Sequence, residues 1–205
     1  EEVKGQILYA QIEPTTFCNF RCSQCDNPLF PKERLQHMSL VQFRQILDRL
    51  PRLVKMSLVG IGEPLLNPTI VEMGRAAKQR GILVGFATNG SLLTPTRTKA
   101  LINVGLDWIN VSMDGATPET FERIRLGGKF DVVVKNLKGL MAMVGRRRRP
   151  KVSVWFVAMQ SNLPELPALV RLVHELGVPK LCVQGVHTWG KDPWKAKLQF
   201  EQVGD

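Results

Sequence analysis

The chain has 205 residues, and its 28 Lys and Arg against 18 Asp and Glu leave a formal charge of +10. Hydrophobic residues make up 44% and charged residues 22%, an ordinary globular balance that excludes a disordered or low-complexity chain. Four Cys are too few for a disulfide-stapled secreted scaffold, and the longest apolar stretches, such as Val154 to Met159, are too short to span a bilayer.

Short aliphatic or β-branched runs alternate with helical patterns along the whole chain. A strand is predicted over Ile7 to Ile12, a helix over Ser39 to Leu50, a strand over Lys55 to Val59 and a helix over Thr69 to Arg80. Next come a strand at Leu83 to Ala87, a helix near Thr94 to Val104, a strand at Trp108 to Ser112, and helical stretches at Pro118 to Ile124 and Phe130 to Val144. Val152 to Ala158, Leu163 to Leu176 and Leu181 to Val186 complete the series, counted as six strands with five intervening helices. Helix starts are marked chemically. Ser39 with Gln42 forms a capping box, and Thr94-Pro95 and Thr117-Pro118 set a capping hydroxyl before Pro at the first helical position. Gly81, Gly105 and Gly177 close helices as left-handed caps. In the last helix Leu166, Leu169, Val170, Val173 and Leu176 form a stripe expected to face the core.

Strand-helix units of roughly 30 to 35 residues indicate parallel βαβ units in an α/β domain. A doubly wound sheet would carry a Gly-rich phosphate turn after its first strand, and here three Cys stand in its place. The fold expected is therefore a partial (β/α)6 TIM-type barrel with a parallel sheet, since a full barrel needs ~250 residues. Residues 1–205 read as one domain, with no repeat or linker. The polar start Glu1 to Gly5 lacks the design of a secretory signal, although a chain beginning at Glu reads as trimmed; a cytoplasmic location is expected.

The first strand leads into Pro14-Thr15-Thr16-Phe17-Cys18-Asn19-Phe20-Arg21-Cys22-Ser23-Gln24-Cys25, a C-x3-C-x2-C loop. This is metal spacing. Three thiolates can hold three corners of a cubane [4Fe-4S] cluster, leaving one iron open to an outside ligand. Structural zinc held by the same Cys with His37 is the alternative. Three unrelated buried thiols fit less well, because Asn19, Arg21 and Gln24 make the stretch polar.

On these residues the chain resembles the radical S-adenosylmethionine superfamily. The resemblance implies that Cys18, Cys22 and Cys25 bind a [4Fe-4S] cluster whose fourth iron is chelated by the amino and carboxylate groups of S-adenosylmethionine. The residue before the third Cys is commonly aromatic in that family and helps to hold the adenine; here it is Gln24.

A barrel should carry polar motifs after each strand, and it does. Gly60-Ile61-Gly62-Glu63-Pro64 follows the second strand, where small residues let a ligand approach the backbone and Glu63 can receive an ammonium. It resembles the family's Gly-Gly-Glu motif with Ile61 for a glycine, which implies that Gly60, Gly62 and Glu63 bind the methionine amino group, largely through backbone carbonyls. Thr88-Asn89-Gly90 follows the third strand and Ser112-Met113-Asp114-Gly115 the fourth; each alone is also an ordinary turn. In order, they resemble segments surrounding the ribose and methionine in the branch with peptide maturases of SPASM and twitch type and molybdenum-cofactor cyclases. Asn89, Ser112 and Asp114 are thus expected at the cofactor, with Arg125 pairing the methionyl carboxylate, unless it is simply a solvated basic helix end beside Arg123 and Lys129.

Asn162 after the fifth strand and His187, with Trp189, after the sixth are candidates for substrate contact. Cys182 reads as an inert core thiol. Arg146 to Arg149 precede the fifth strand, on the face opposite the active site, and read first as a solvated loop, with docking to an acidic electron donor or nucleic acid as the sharper alternative.

The resemblance implies reductive cleavage of S-adenosylmethionine to a 5′-deoxyadenosyl radical that takes hydrogen from substrate, with a reductant such as flavodoxin or ferredoxin. A peptide substrate is expected first and a small molecule or cofactor precursor second; neither membrane nor nucleic acid is expected. A non-catalytic zinc or iron–sulfur module is the other class, and it would tolerate loss of Glu63 and Asp114. Six units leave a barrel edge at the sixth strand, so a C-terminal extension is expected to be missing from this chain.

Overall fold

The structure is a computed structural model, described here for residues 7–185. Six strands, β1 (Tyr9–Ile12), β2 (Lys55–Leu58), β3 (Leu83–Thr88), β4 (Trp108–Ser112), β5 (Lys151–Ala158) and β6 (Leu181–Gly185), alternate with helices. The helices are α1 (Leu40–Arg49), α2 (Ile70–Gln79), α3 (Pro95–Val104), α4 (Pro118–Ile124), α5 (Phe130–Val144) and α6 (Leu166–Glu175). The fourth connection holds two helices, so five connections carry six α-helices where five were counted.

Local chemistry sets the helix ends. Ser39 and Gln42 exchange both bonds of the capping box on α1. Thr94 and Thr117 each accept from the backbone N–H three residues on, with Pro at the start of α3 and α4. Gly105 closes α3 at φ +78°, which an L side chain rarely adopts. The stripe on α6 is narrower than its sequence suggests: Leu169 and Val173 are buried, whereas Val170 is exposed.

All strand pairs are parallel and the spatial order is β1-β2-β3-β4-β5-β6. A doubly wound sheet reverses its strand order at a switch point; a sequential order keeps every crossover on one face and makes a barrel. The sheet is a partial (β/α)6 TIM-type barrel. Period-two alternation shows which side carries the helices. Met56, Leu58, Val84, Phe86, Ile109, Val111, Val154 and Phe156 are buried in one continuous core with them. The opposite face presents Lys55, Ser57, Asn110, Ser112 and Trp155, so the concave side is polar. Gly85 is required on it, because a Cβ there would stand 2.5 Å from the Trp108 ring.

The parallel sheet brings every strand's C-terminal end, and the loop after it, to one rim. The Arg146–Arg149 run lies at the other rim. There Arg149 pairs with Asp107, whose carboxylate also takes Lys78 at 2.7 Å and Val84 N at 2.8 Å, so part of the run fastens the fold. Lys55, Arg148 and Lys180 border a basic cavity of about 780 Å3 there, beside Trp108 and Trp155. Cys182 is half-buried on the terminal strand β6, not a core thiol. Val186, His187 and Trp189 lie outside the described residues. No helix among the described residues is long and apolar enough to cross a membrane.

Candidate active site

The Cys loop leaves β1 and is held open by its own backbone. Thr15 and His37 form an antiparallel bridge, Thr16 N donates to Gln36 O at 3.1 Å, and Met38 N donates to Pro14 O at 2.9 Å. Phe20 anchors the loop in the core. Arg21 N and Ser23 N donate to Leu126 O and Ile124 O at 2.8 and 2.9 Å, pinning the loop to the end of α4, while Glu63 N donates to Phe17 O at 2.8 Å. Asn19 joins the next strand end, accepting from Asn89 Nδ2 and donating to Ser91 Oγ, both at 2.9 Å.

Cys18, Cys22 and Cys25 line one cavity of about 400 Å3 at the C-terminal rim. Gly60, Gly62, Asn89, Ser112 and Arg125 line the same cavity, as does Gln24. Eight predicted site residues from four strand ends therefore meet in one place. Each sulfur has a donor: Phe20 N to Cys18 at 3.5 Å, Asn27 N to Cys25 at 3.4 Å and Arg125 Nη1 to Cys22 at 4.0 Å. Burial pushes all three thiols up, Cys22 to about 11, with Arg125 opposing it. A metal must therefore displace their protons on binding.

Glu63, Asp114 and Asn162 stand behind the cavity wall. Glu63, 2% exposed, accepts from Leu65 N (3.1 Å), Thr88 Oγ1 (2.7 Å) and Asn89 N (2.7 Å), so its carboxylate clamps the second strand end to the third. Its pKa is raised by burial, against these bonds. Asp114, 0% exposed, accepts from Val157 N (2.8 Å), Gln24 Nε2 (2.5 Å) and Arg125 Nη2 (2.7 Å). Asn162 accepts from Met159 N at 2.7 Å and donates to Asp114 O and Val157 O at 3.0 and 2.9 Å, which commits its whole amide to backbone instead of to a substrate. Arg125 is 7% exposed, so it is no solvated helix end; Lys129 and Arg123 occupy the surface, bonded to Glu122 and Ser161 O.

The glycines have a different reason from the expected one. A Cβ on Gly62 would lie 2.1 Å from Thr15 O, and one on Gly60 would strike the Glu13 carboxylate, so the missing side chains let the segment after β1 pack close while the glycine backbone lines the cavity. Glu13 itself was missed by the sequence reading. Its carboxylate accepts from Ile61 N and Gly62 N, and a lone acidic residue just past a strand was the single available signal. Asn67 was missed too: it donates to Pro14 O (2.6 Å) and Met38 O (2.9 Å) and accepts from Thr69 N (2.8 Å), tying both feet of the Cys loop to α2.

The zinc set is not assembled. His37 lies 2.8 Å from Thr15 Oγ1, packs on Phe17 with ring centroids 4.7 Å apart, and lines a separate cavity. Among the described residues no three His, Cys, Asp or Glu close on one metal ion, the three thiols included. A cubane takes its thiolates at separate corners and does not need that closure. Two buried polar atoms at the cavity, Gln24 Oε1 and Arg125 Nε, have no hydrogen-bond partner. Three thiols in one cavity with a spare acceptor and a spare cationic donor fit an iron–sulfur cluster together with a ligand bearing amino and carboxylate groups.

An open α/β barrel with clustered cysteines after its first strand and buried polar residues at the next three is a scaffold that holds a cofactor at its C-terminal rim. The chain belongs to the radical SAM superfamily, whose family model matches residues 12–146. It is 33% identical over 187 residues to the tungsten-containing aldehyde ferredoxin oxidoreductase cofactor-modifying protein of Pyrococcus furiosus, covering 88% of this chain and 52% of that one. It is 33% identical over 182 residues to the PqqA peptide cyclase of Ruegeria pomeroyi (86% and 47% covered) and 34% identical over 176 residues to the GTP 3′,8-cyclase of Chlorobaculum tepidum (82% and 51%). Streptococcus suis SuiB bound to S-adenosylmethionine shares the fold at a TM-score of 0.75 and 18% identity, over 90% of this chain and 42% of that one. The chain spans about half the length of the curated relatives it matches.

Proposed function

We propose that this chain is the core domain of an enzyme that cleaves S-adenosylmethionine reductively and takes a hydrogen atom from a peptide substrate. The observation that carries this reading is the single cavity where Cys18, Cys22 and Cys25 meet residues from the next three strand ends. When bound, a [4Fe-4S] cluster supplies the electron that splits the sulfonium carbon–sulfur bond to give methionine and the hydrogen-abstracting 5′-deoxyadenosyl radical. Cys18, Cys22 and Cys25 hold the cluster, and the backbone at Gly60 and Gly62 borders the methionine amino group. Glu63 keeps that backbone in place. Asn89 and Ser112 would offer hydrogen bonds to the ribose, Arg125, whose Nε has no partner in the protein, would offer it to the ligand's carboxylate, and Asp114 orients Arg125.

A peptide is favoured as substrate by the likeness to the PqqA peptide cyclase and by the fold shared with SuiB, which has been captured with its precursor peptide. The likeness to a GTP 3′,8-cyclase supports a small-molecule substrate as the second reading. The net charge of +10 favours an acidic reductant of the flavodoxin or ferredoxin kind. The test is anaerobic reconstitution with iron and sulfide, addition of dithionite and S-adenosylmethionine, and mass-spectrometric assay of 5′-deoxyadenosine beside Cys22→Ala. Formation abolished by Cys22→Ala is expected; zinc in place of iron, or formation indifferent to Cys22, overturns the reading.

A further inference from the structure

Arg125 is a buried charge beside the Cys22 thiol, and its place is set from both sides. The chain leaves α4 at Arg125, and the bonds from Arg21 N to Leu126 O and from Ser23 N to Ile124 O flank both Cys22 and Arg125, so backbone pairing sets the guanidinium beside that sulfur. Its Nη1 lies 4.0 Å from Cys22 Sγ and its Nη2 2.7 Å from Asp114 Oδ2. Asp114 cannot turn away, because its other oxygen accepts from Val157 N and the shared one also accepts from Gln24 Nε2. With side-chain exposures of 9% and 0%, neither charge is screened by water.

A reduced cluster carries one more negative charge than its oxidised form. A nearby cation whose N–H faces a ligating sulfur stabilises the reduced form, and a nearby anion destabilises it. We propose that Arg125 and Asp114 form an opposed pair that sets the reduction potential of the cluster, Arg125 raising it through Cys22 and Asp114 holding that effect in check. This inference rests on the cluster assignment made above. Asp114 acts through Arg125 and is a positioning residue, while Arg125 acts on the cluster through Cys22 with its Nη1, a role apart from the contact its Nε offers the ligand's carboxylate.

The experiment is a potentiometric titration of the reconstituted protein without S-adenosylmethionine, read by electron paramagnetic resonance, with iron and sulfide measured on each sample. Arg125→Gln is expected to lower the ratio of reduced to oxidised cluster tenfold at a fixed potential, a midpoint shift of about 59 mV in the negative direction for one electron. Asp114→Asn is expected to move the midpoint the opposite way. If Arg125→Gln leaves Asp114 too poorly compensated to fold, Arg125→Lys keeps the charge, loses the donor near Cys22 and is expected to shift the midpoint negatively by less. Equal midpoints in all proteins, or shifts of one sign in both the Arg125 and Asp114 variants, at full iron content, overturn the proposal. Failure of the wild type to assemble any iron–sulfur cluster overturns the functional reading beneath it, and iron content separates the two failures.

Discussion

Glu63 places a carboxylate where water does not reach, with both oxygens used by neighbours. Burial raises its pKa above the ordinary 4.5, so the folded chain binds that proton more tightly than the unfolded chain does. The stability it contributes is therefore fully present below 4.5 and is lost as pH rises through the raised value. Glu63→Gln removes this titration, so the advantage of wild type over variant should shrink as pH rises, measured by urea unfolding at several pH values; a constant gap contradicts the argument. Gly62 is constrained by space alone. Since its added Cβ would lie 2.1 Å from Thr15 O and 2.7 Å from Phe17 O, Gly62→Ala must displace backbone of the Cys loop. A loss of about 1–3 kcal/mol is expected, with weaker iron loading on reconstitution.

Between elements, side-chain amides and carboxylates do the joining. Asn162 connects the end of β4 to the end of β5 through Asp114 O and Val157 O. Asn162→Ala removes three hydrogen bonds, to Asp114 O, Val157 O and Met159 N, and a destabilisation of about 1–3 kcal/mol is expected in denaturant unfolding. A residue that touched only substrate would instead raise KM and leave stability unchanged, so the two measurements discriminate. Glu165 does similar work from the start of α6, accepting from Ala116 N (2.7 Å) and Thr117 Oγ1 (2.9 Å) and so binding the β4–α4 turn to the last helix. The rim is thus stitched at the ends of β1 to β5 before any ligand arrives.

Across the whole molecule, the sequential sheet has two ends. β3 and β4 are paired on both sides and covered by helices, whereas β1 and β6 have one strand partner each among the described residues, and Tyr9 and Val183 are 54% and 49% exposed. Native-state hydrogen exchange should therefore be slowest in β3 and β4 and faster in β6, and uniform protection would contradict this account. The charge of +10 also acts at this scale. Reduction of the reconstituted protein by an acidic flavodoxin should slow as salt shortens the screening length; a rate indifferent to ionic strength removes steering from the reading.

Much of this protein is written locally and is legible in the chain itself. Strand and helix order follows from apolar periodicity, helix ends from Ser39, Thr94, Thr117 and Gly105, and the family resemblance from the C-x3-C-x2-C spacing, because each depends on residues adjacent in sequence. What the tertiary structure decided is which groups face each other across many residues. Nothing near Arg125 in sequence marks it as buried; its burial follows from the Cys loop, more than a hundred residues earlier, folding over it to meet Asp114 and Cys22. Glu13 and Asn67 acquire their roles because their partners, the Gly60–Gly62 backbone and the feet of the Cys loop, arrive from other strands. Gly60 and Gly62 were readable as special, yet only the packed loops show that the space they leave is filled by the protein itself. Periodicity and caps are short-range physics, whereas the burial of charge and the satisfaction of polar groups are settled only when distant segments come into contact.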